Sequence, residues 1–137
     1  MQFSRIIIYL IFSLIFWECN NPTEISYNSD EERIIGSWNW TKTTGGFGGI
    51  EETPQSTGQT RIVTFDDENI VQFYIDDNNM STYEYKLGLG LTIFSSDSIA
   101  VLFFNDNLVY AYSFPNDNSL VLRDNIYDGF QYDYERE

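Results

Sequence analysis

From Ile34 onward, short apolar or alternating runs are separated by Asp, Asn, Gly and Ser clusters at roughly 8- to 12-residue spacing, the pattern of an all-β sandwich or barrel. The runs predict strands at Ile35–Thr43, Arg61–Asp66, Ile70–Ile75, Ser81–Leu87, Leu89–Ser95, Ile99–Phe104, Leu108–Phe114 and Ser119–Asp124, with a short tail Phe130–Tyr134. No stretch requires helical periodicity. The separators, such as Asp76-Asp77-Asn78-Asn79, Ser96-Asp97-Ser98 and Asn105-Asp106-Asn107, suit tight corners, because Asn and Asp tolerate left-handed backbone angles. Such short turns join only antiparallel neighbours. The expected topology is a meander of eight strands that closes into an up-and-down barrel and so removes its own sheet edges. Alternation is clearest where Tyr83, Tyr85 and Leu87 share a face. It fails in Val101-Leu102-Phe103-Phe104, which is apolar on both.

One connection is long, Gly45 to Thr60. Its Gly45, Gly46, Gly48 and Gly49 permit positive φ, and Thr53-Pro54 ends the excursion. A loop of this length reads either as a lid over a barrel mouth or as an ordered surface loop.

A chain of 137 residues holds one such domain. The formal charge is −14, and removing residues 1–18 takes away Arg5 and Glu18 and leaves it unchanged. Lys42, Arg61, Lys86 and Arg123 stand singly among acids, which argues against a nucleic-acid partner. A basic protein would be attracted; the acids also serve simply to keep an aromatic-rich chain in solution. With one cysteine and no histidine, internal disulfides, the usual zinc sites and Ser-His-Asp triads are absent. An enzyme is not expected, and neither is a cofactor or a metal. Asp124-x-x-x-Asp128-Gly129 has part of a calcium loop's spacing, but Ile126 replaces an oxygen ligand. Glu51 and Glu52, adjacent in a loop, read as solvated charge rather than a catalytic pair.

Residues 1–18 read as a signal peptide: Arg5 precedes the apolar run Ile6 to Trp17, which is too short to span a bilayer core that needs about 20 apolar residues. Residues 19–33 read as a polar linker, and 34–137 as the barrel domain. Phe16-Trp17-Glu18-Cys19 resembles the end of a bacterial lipoprotein signal, which implies lipid attachment at Cys19 and tethering to the cell envelope, with an outer-membrane lipoprotein facing the periplasm as the expected location. The alternatives are a free thiol in a linker and an uncleaved anchor.

Gly36-Ser37-Trp38 opens the first strand. Together with Trp40, Gly45-Gly46-Phe47-Gly48-Gly49, Thr53-Pro54 and the ending Asp128-Gly129-Phe130…Tyr134, it resembles the lipocalin-like lipoproteins of Bacteroidetes bacteria. The resemblance implies an eight-stranded calycin-type barrel with Trp38 plugging one end beneath a basic side chain from the last barrel strand. Arg123 is the residue expected there. These two read as barrel closure rather than as a site.

The candidate binding region is an internal cavity lined by Trp40, Phe73, Tyr83, Tyr85, Phe103 and Tyr112. Side chains this large can also fill the interior, and sequence alone leaves hollow and filled open. Two functions follow: an envelope-tethered binding protein for a small apolar or amphipathic molecule, or a solid-barrel interaction module for a basic envelope protein, such as an inhibitor or accessory subunit.

Overall fold

The computed structural model describes residues 27–137, so the expected signal peptide and Cys19 lie outside the described residues. The chain enters through helix α1 (Tyr27–Ile34) and continues into strands β1 (Gly36–Gly45), β2 (Ile50–Glu52), β3 (Arg61–Phe65), β4 (Ile70–Ile75), β5 (Asn78–Thr92), β6 (Ser95–Phe104), β7 (Asn107–Asn116), β8 (Ser119–Asp124) and β9 (Phe130–Arg136). Every pairing is antiparallel between sequence neighbours in the barrel. The last strand returns to the first, with Trp38 opposite Arg136 and Gly45 opposite Phe130. β1 and β3 to β9 form a closed eight-stranded meander, as expected, and β2 adds a short flap to the upper part of β1.

Several details differ from the sequence expectation. The runs Ser81–Leu87 and Leu89–Ser95 are one strand, β5, whose first half pairs with β4 and second half with β6. The tail is the eighth barrel strand. Ser96-Asp97-Ser98, expected as a turn, lies inside β6. The Gly45–Thr60 connection is structured: it holds β2 and a one-turn helix α2 (Pro54–Thr57), where Thr53 and Ser56 cap each other's backbone reciprocally.

Residues 27–33, expected as solvated linker, are helical. Their sequence has little apolar periodicity, and it is contact with the barrel that fixes them. Ile34 is fully buried, Arg33 pairs with Asp117 at 2.9 Å and lies over Phe114, and the Tyr112 hydroxyl donates to Asp30 at 3.2 Å. α1 thereby stoppers one end of the barrel.

Beneath that stopper sits Trp38, with no exposed surface, its indole N–H donating to the Ile34 carbonyl at 2.8 Å. The cation above it is Arg136, 4.2 Å from the ring centroid, and not Arg123. The reason is topological: β9, not β8, borders β1, and Arg123 alternates with buried Leu122, so it points outward. Arg136 also donates to the carbonyls of Arg33 and Ile35. Gly36, at φ 129°, is required here, since a β-carbon would stand 2.9 Å from the Arg136 guanidinium.

The core next to this end is apolar and dense, with Val63, Phe65, Val71, Leu102, Leu120 and Leu122 at most 1% exposed. A second, smaller apolar layer lies outside the barrel. The tip of the β5–β6 hairpin leaves β7 and curls over the outer wall, where Phe94 covers Arg123 at 3.9 Å and the Ile93 N–H donates to Asn125 at 2.9 Å. Outward-facing Val101 and Ala111 are buried there, which explains why the run around Val101 is apolar on both faces.

Candidate functional site

The period-two alternation that packs the closed end brings a different set inward at the other end. Arg61 from β3, Phe73 from β4, Tyr83 from β5, Phe104 from β6, Tyr110 from β7, and Tyr132 and Tyr134 from β9 surround a cavity of about 550 Å³. Two tight turns border its mouth, beside the end of the Gly45–Thr60 connection, where the Thr60 N–H donates to Asp76. Asp76-Asp77 and Asn105-Asp106 all have positive φ, between 47° and 65°, the geometry of two-residue hairpin turns that cannot reach across a barrel.

The cavity wall is a chain of aromatic contacts. Tyr83 stacks on Phe104 at 5.3 Å with planes 6° apart, Phe73 and Tyr110 meet Phe104 edge-on at 5.7 and 5.6 Å, and Tyr110 meets Tyr132 edge-on at 5.9 Å. These offset and edge-on geometries hold the rings in place.

Arg61 is the cation of the lining. Its guanidinium lies over Trp40, 4.1 Å from the ring centroid, and reaches Glu52 of β2 at 3.1 Å and Gln59 at 3.3 Å. The flap therefore neutralises the charge that β3 turns inward. Arg61 Nε is buried without a hydrogen-bond partner.

Burial, then the neighbouring Tyr132, pushes the Tyr110 hydroxyl well above the ordinary tyrosine range; burial, then Tyr110 and Tyr132, does the same to Tyr134. Tyr132 is raised by burial and by the neighbouring Asp124. All three stay protonated near neutrality and act as donors.

Of the six residues expected to line a cavity, Phe73 and Tyr83 do. Trp40, Tyr85 and Tyr112 belong to the packed core: Trp40 is sealed beneath Arg61 and bonds Thr43 at 2.8 Å, the Tyr85 hydroxyl donates to the Asp66 carbonyl at 3.0 Å, and Tyr112 packs toward α1. Phe103 is a correction. It pairs with exposed Lys86 on the outer face and covers Gly88, where a β-carbon would stand 2.9 Å from its ring, while Phe104 points inward. Tyr132 and Tyr134 are lining residues that the sequence reading misses, although their period-two spacing becomes informative once the tail is counted as a barrel strand.

Among the described residues, no three His, Cys, Asp or Glu side chains are grouped as a metal site. No protein-family model matches the chain, and no curated protein matches it in sequence. Among solved structures it is similar to a de novo designed fluorescence-activating β-barrel, at 10% identity and a TM-score of 0.40, over 80% of this chain and 98% of that one. The barrel assignment rests on the strand pairing itself.

Proposed function

We propose that the protein is a binding protein that holds a small apolar or amphipathic molecule in the open end of its barrel, without turnover. The observation that carries this reading is the cavity of about 550 Å³, within the range of small-molecule sites, walled by aromatic side chains with a few convergent polar groups. A filled barrel would have needed larger or additional inward side chains where Ser81 and the rim asparagines stand.

The lipoprotein-like residues ahead of α1 add a place to this reading: a lipid on Cys19 would tether the barrel to the cell envelope. Seven residues separate Cys19 from Tyr27, so the eight Cα steps between them span at most about 28 Å, and α1 leads into the closed end. Anchored this way, the barrel would stand with its stoppered end toward the membrane and its mouth away from it. Mass spectrometry of the mature amino terminus tests the anchor, and an unmodified Cys19 overturns it.

Native mass spectrometry of the protein purified from its own host tests the binding reading. A co-purifying small molecule that is lost on Phe73→Trp, which fills the cavity, is the expected outcome. A barrel that stays empty and instead captures a basic protein at low salt, releasing it at high salt, would favour the interaction module.

A further inference from the structure

Closure of the barrel leaves part of β5 unpaired, because that strand outruns its neighbour. Its pairing with β4 ends at Ile70 opposite Glu84, whereas its pairing with β6 runs on from Tyr85 opposite Phe104 to Thr92 opposite Ser95. Residues 86–91 thus have β6 on one side and, among the described residues, no strand on the other.

Backbone parity fixes which groups face the open side. The Tyr85 N–H donates to the Asn69 carbonyl, toward β4, at 2.8 Å, and the Glu84 carbonyl accepts from the Asn105 N–H, toward β6, at 3.0 Å. Main-chain polar groups alternate sides along a strand, so those of Leu87 and Leu89 face away from β6. No hydrogen bond among the described residues reaches them there. Natural strand edges are blunted by charge, proline or a covering element, yet Gly88-Leu89-Gly90-Leu91-Thr92-Ile93 carries neither charge nor proline.

The side chains beside this edge define what fits it. Leu89 and Leu91 are 50% and 67% exposed. Two residues back along β5, Leu87 lines a groove of about 560 Å³ with Glu31, Glu32, Ile35, Asp67 and Lys86, so three acids face a single base. A second copy of the chain would bring the same acids to the same place on a molecule of net charge −14, and like charge disfavours it. A basic segment gains where a copy loses.

We propose that the open edge of β5 around Leu87 and Leu89 takes up an extended segment of a basic protein as an added strand. Main-chain hydrogen bonds supply the affinity, the segment's basic side chains meet Glu31, Glu32 and Asp67, and its apolar ones meet Ile35, Leu89 and Leu91. This edge is at the closed end, so the docking stands whether or not the cavity is filled.

Hydrogen exchange and fluorescence anisotropy of the full chain test it, with an alternating lysine–valine heptapeptide and its glutamate–valine counterpart as probes. In the protein alone, the Leu87 and Leu89 amides should exchange fast while those of Lys86, Gly88 and Gly90, which face β6, exchange slowly; the lysine–valine peptide should make all of them slow. Leu89→Pro removes the edge N–H without breaking the ladder to β6 and should weaken that peptide about tenfold, with a melting curve to show that the variant folds. Glu31→Gln/Glu32→Gln changes two exposed side chains and should weaken it about fivefold at low salt and not at high salt. Binding that a folded Leu89→Pro variant retains overturns strand addition, and tighter binding of the glutamate–valine peptide overturns the basic partner. Slow exchange at Leu87 and Leu89 in the protein alone means that the residues ahead of α1 or a second copy already cover the edge, which also overturns the proposal; sedimentation tells those two apart. Failure of both peptides to bind overturns it as well, and none of these outcomes bears on the cavity.

Discussion

The two ends of the barrel are built from the same strands with the same alternation, yet one is a packed core and the other a lined cavity. At the closed end, Ile34, Trp38, Phe65, Leu120 and Leu122 are buried to within 1% of completely, and α1 and Arg136 lie across them. At the open end, Phe73, Tyr83, Tyr110 and Tyr132 are only partly buried, with Tyr134 nearer the floor. The difference comes from what crosses each opening. A helix fixed by Arg33, Asp117 and Tyr112 spans one; at the other, two-residue hairpin turns are too short to span it and the longer Gly45–Thr60 connection pairs back on β1 as the β2 flap. Closed barrels gain stability where their ends are sealed and function where they are not.

Core truncation at the two ends should break this symmetry most visibly. Trp38→Ala should cost about 3–5 kcal/mol, since a buried indole leaves a cavity and strands Arg136, whereas Phe73→Ala should cost about 1–2 kcal/mol because its void joins an existing opening. Urea unfolding reads both. Equal losses would mean that the open end is as tightly packed as the closed one.

The two arginines sharpen the contrast. Arg136→Met removes a cation over Trp38 and donors to two carbonyls at the closed end, and should cost about 2 kcal/mol. Arg123, exposed on the outer wall, lies over Phe94, and Arg123→Met should stay within about 0.5 kcal/mol. A larger effect at Arg123 would restore it as the closing residue.

Alkaline titration probes the depth of the closed end. Burial, then Asp66, Glu31 and Asp67, raises Tyr85 from 10.0 to about 12. Its folded pKa lies above its unfolded one, so the contribution is complete below pH 10 and disappears as pH rises through about 12. Tyr85→Phe should lower stability near neutrality by about 1 kcal/mol, through loss of the bond to the Asp66 carbonyl, and should flatten the fall in stability between pH 10 and 12. An unchanged alkaline slope would place its ring in solvent.

Topology was legible because turn chemistry and strand period are local. The Asp/Asn corners gave the meander, and the spacing of Tyr83, Tyr85 and Leu87 gave an inward face. What was hidden depends on contacts distant in sequence. α1 carries Asp30, Glu31 and Glu32 and looks like linker until the barrel supplies Asp117 and Phe114. Phe103 and Phe104 exchange roles on a one-residue difference in parity, which a run buried on both faces cannot reveal. Whether the interior is hollow was unreadable for the same reason: it depends on which end is covered, and the inward residues alone do not say.

The smallest expected effects lie in the turns, and they separate the two ends once more. Asp66, at the closed end, accepts the N–H groups of Glu68 and Ile70 through its carboxylate at 3.0 and 2.8 Å, so Asp66→Ala should cost about 1 kcal/mol. Asp77, at the mouth, has φ 65° and an exposed side chain that holds no turn bond; the bonds of that corner come from Asp76 and Asn78. Glycine adopts that angle without strain, so Asp77→Gly should stabilise the barrel by about 0.5 kcal/mol while removing one rim charge. Thermal melts of the pair decide it: a gain at Asp77 beside a loss at Asp66 means that the mouth keeps its acids at a small cost in stability, as a charged rim selecting against anions would require, and a loss at both means that the acids are there for the turns alone.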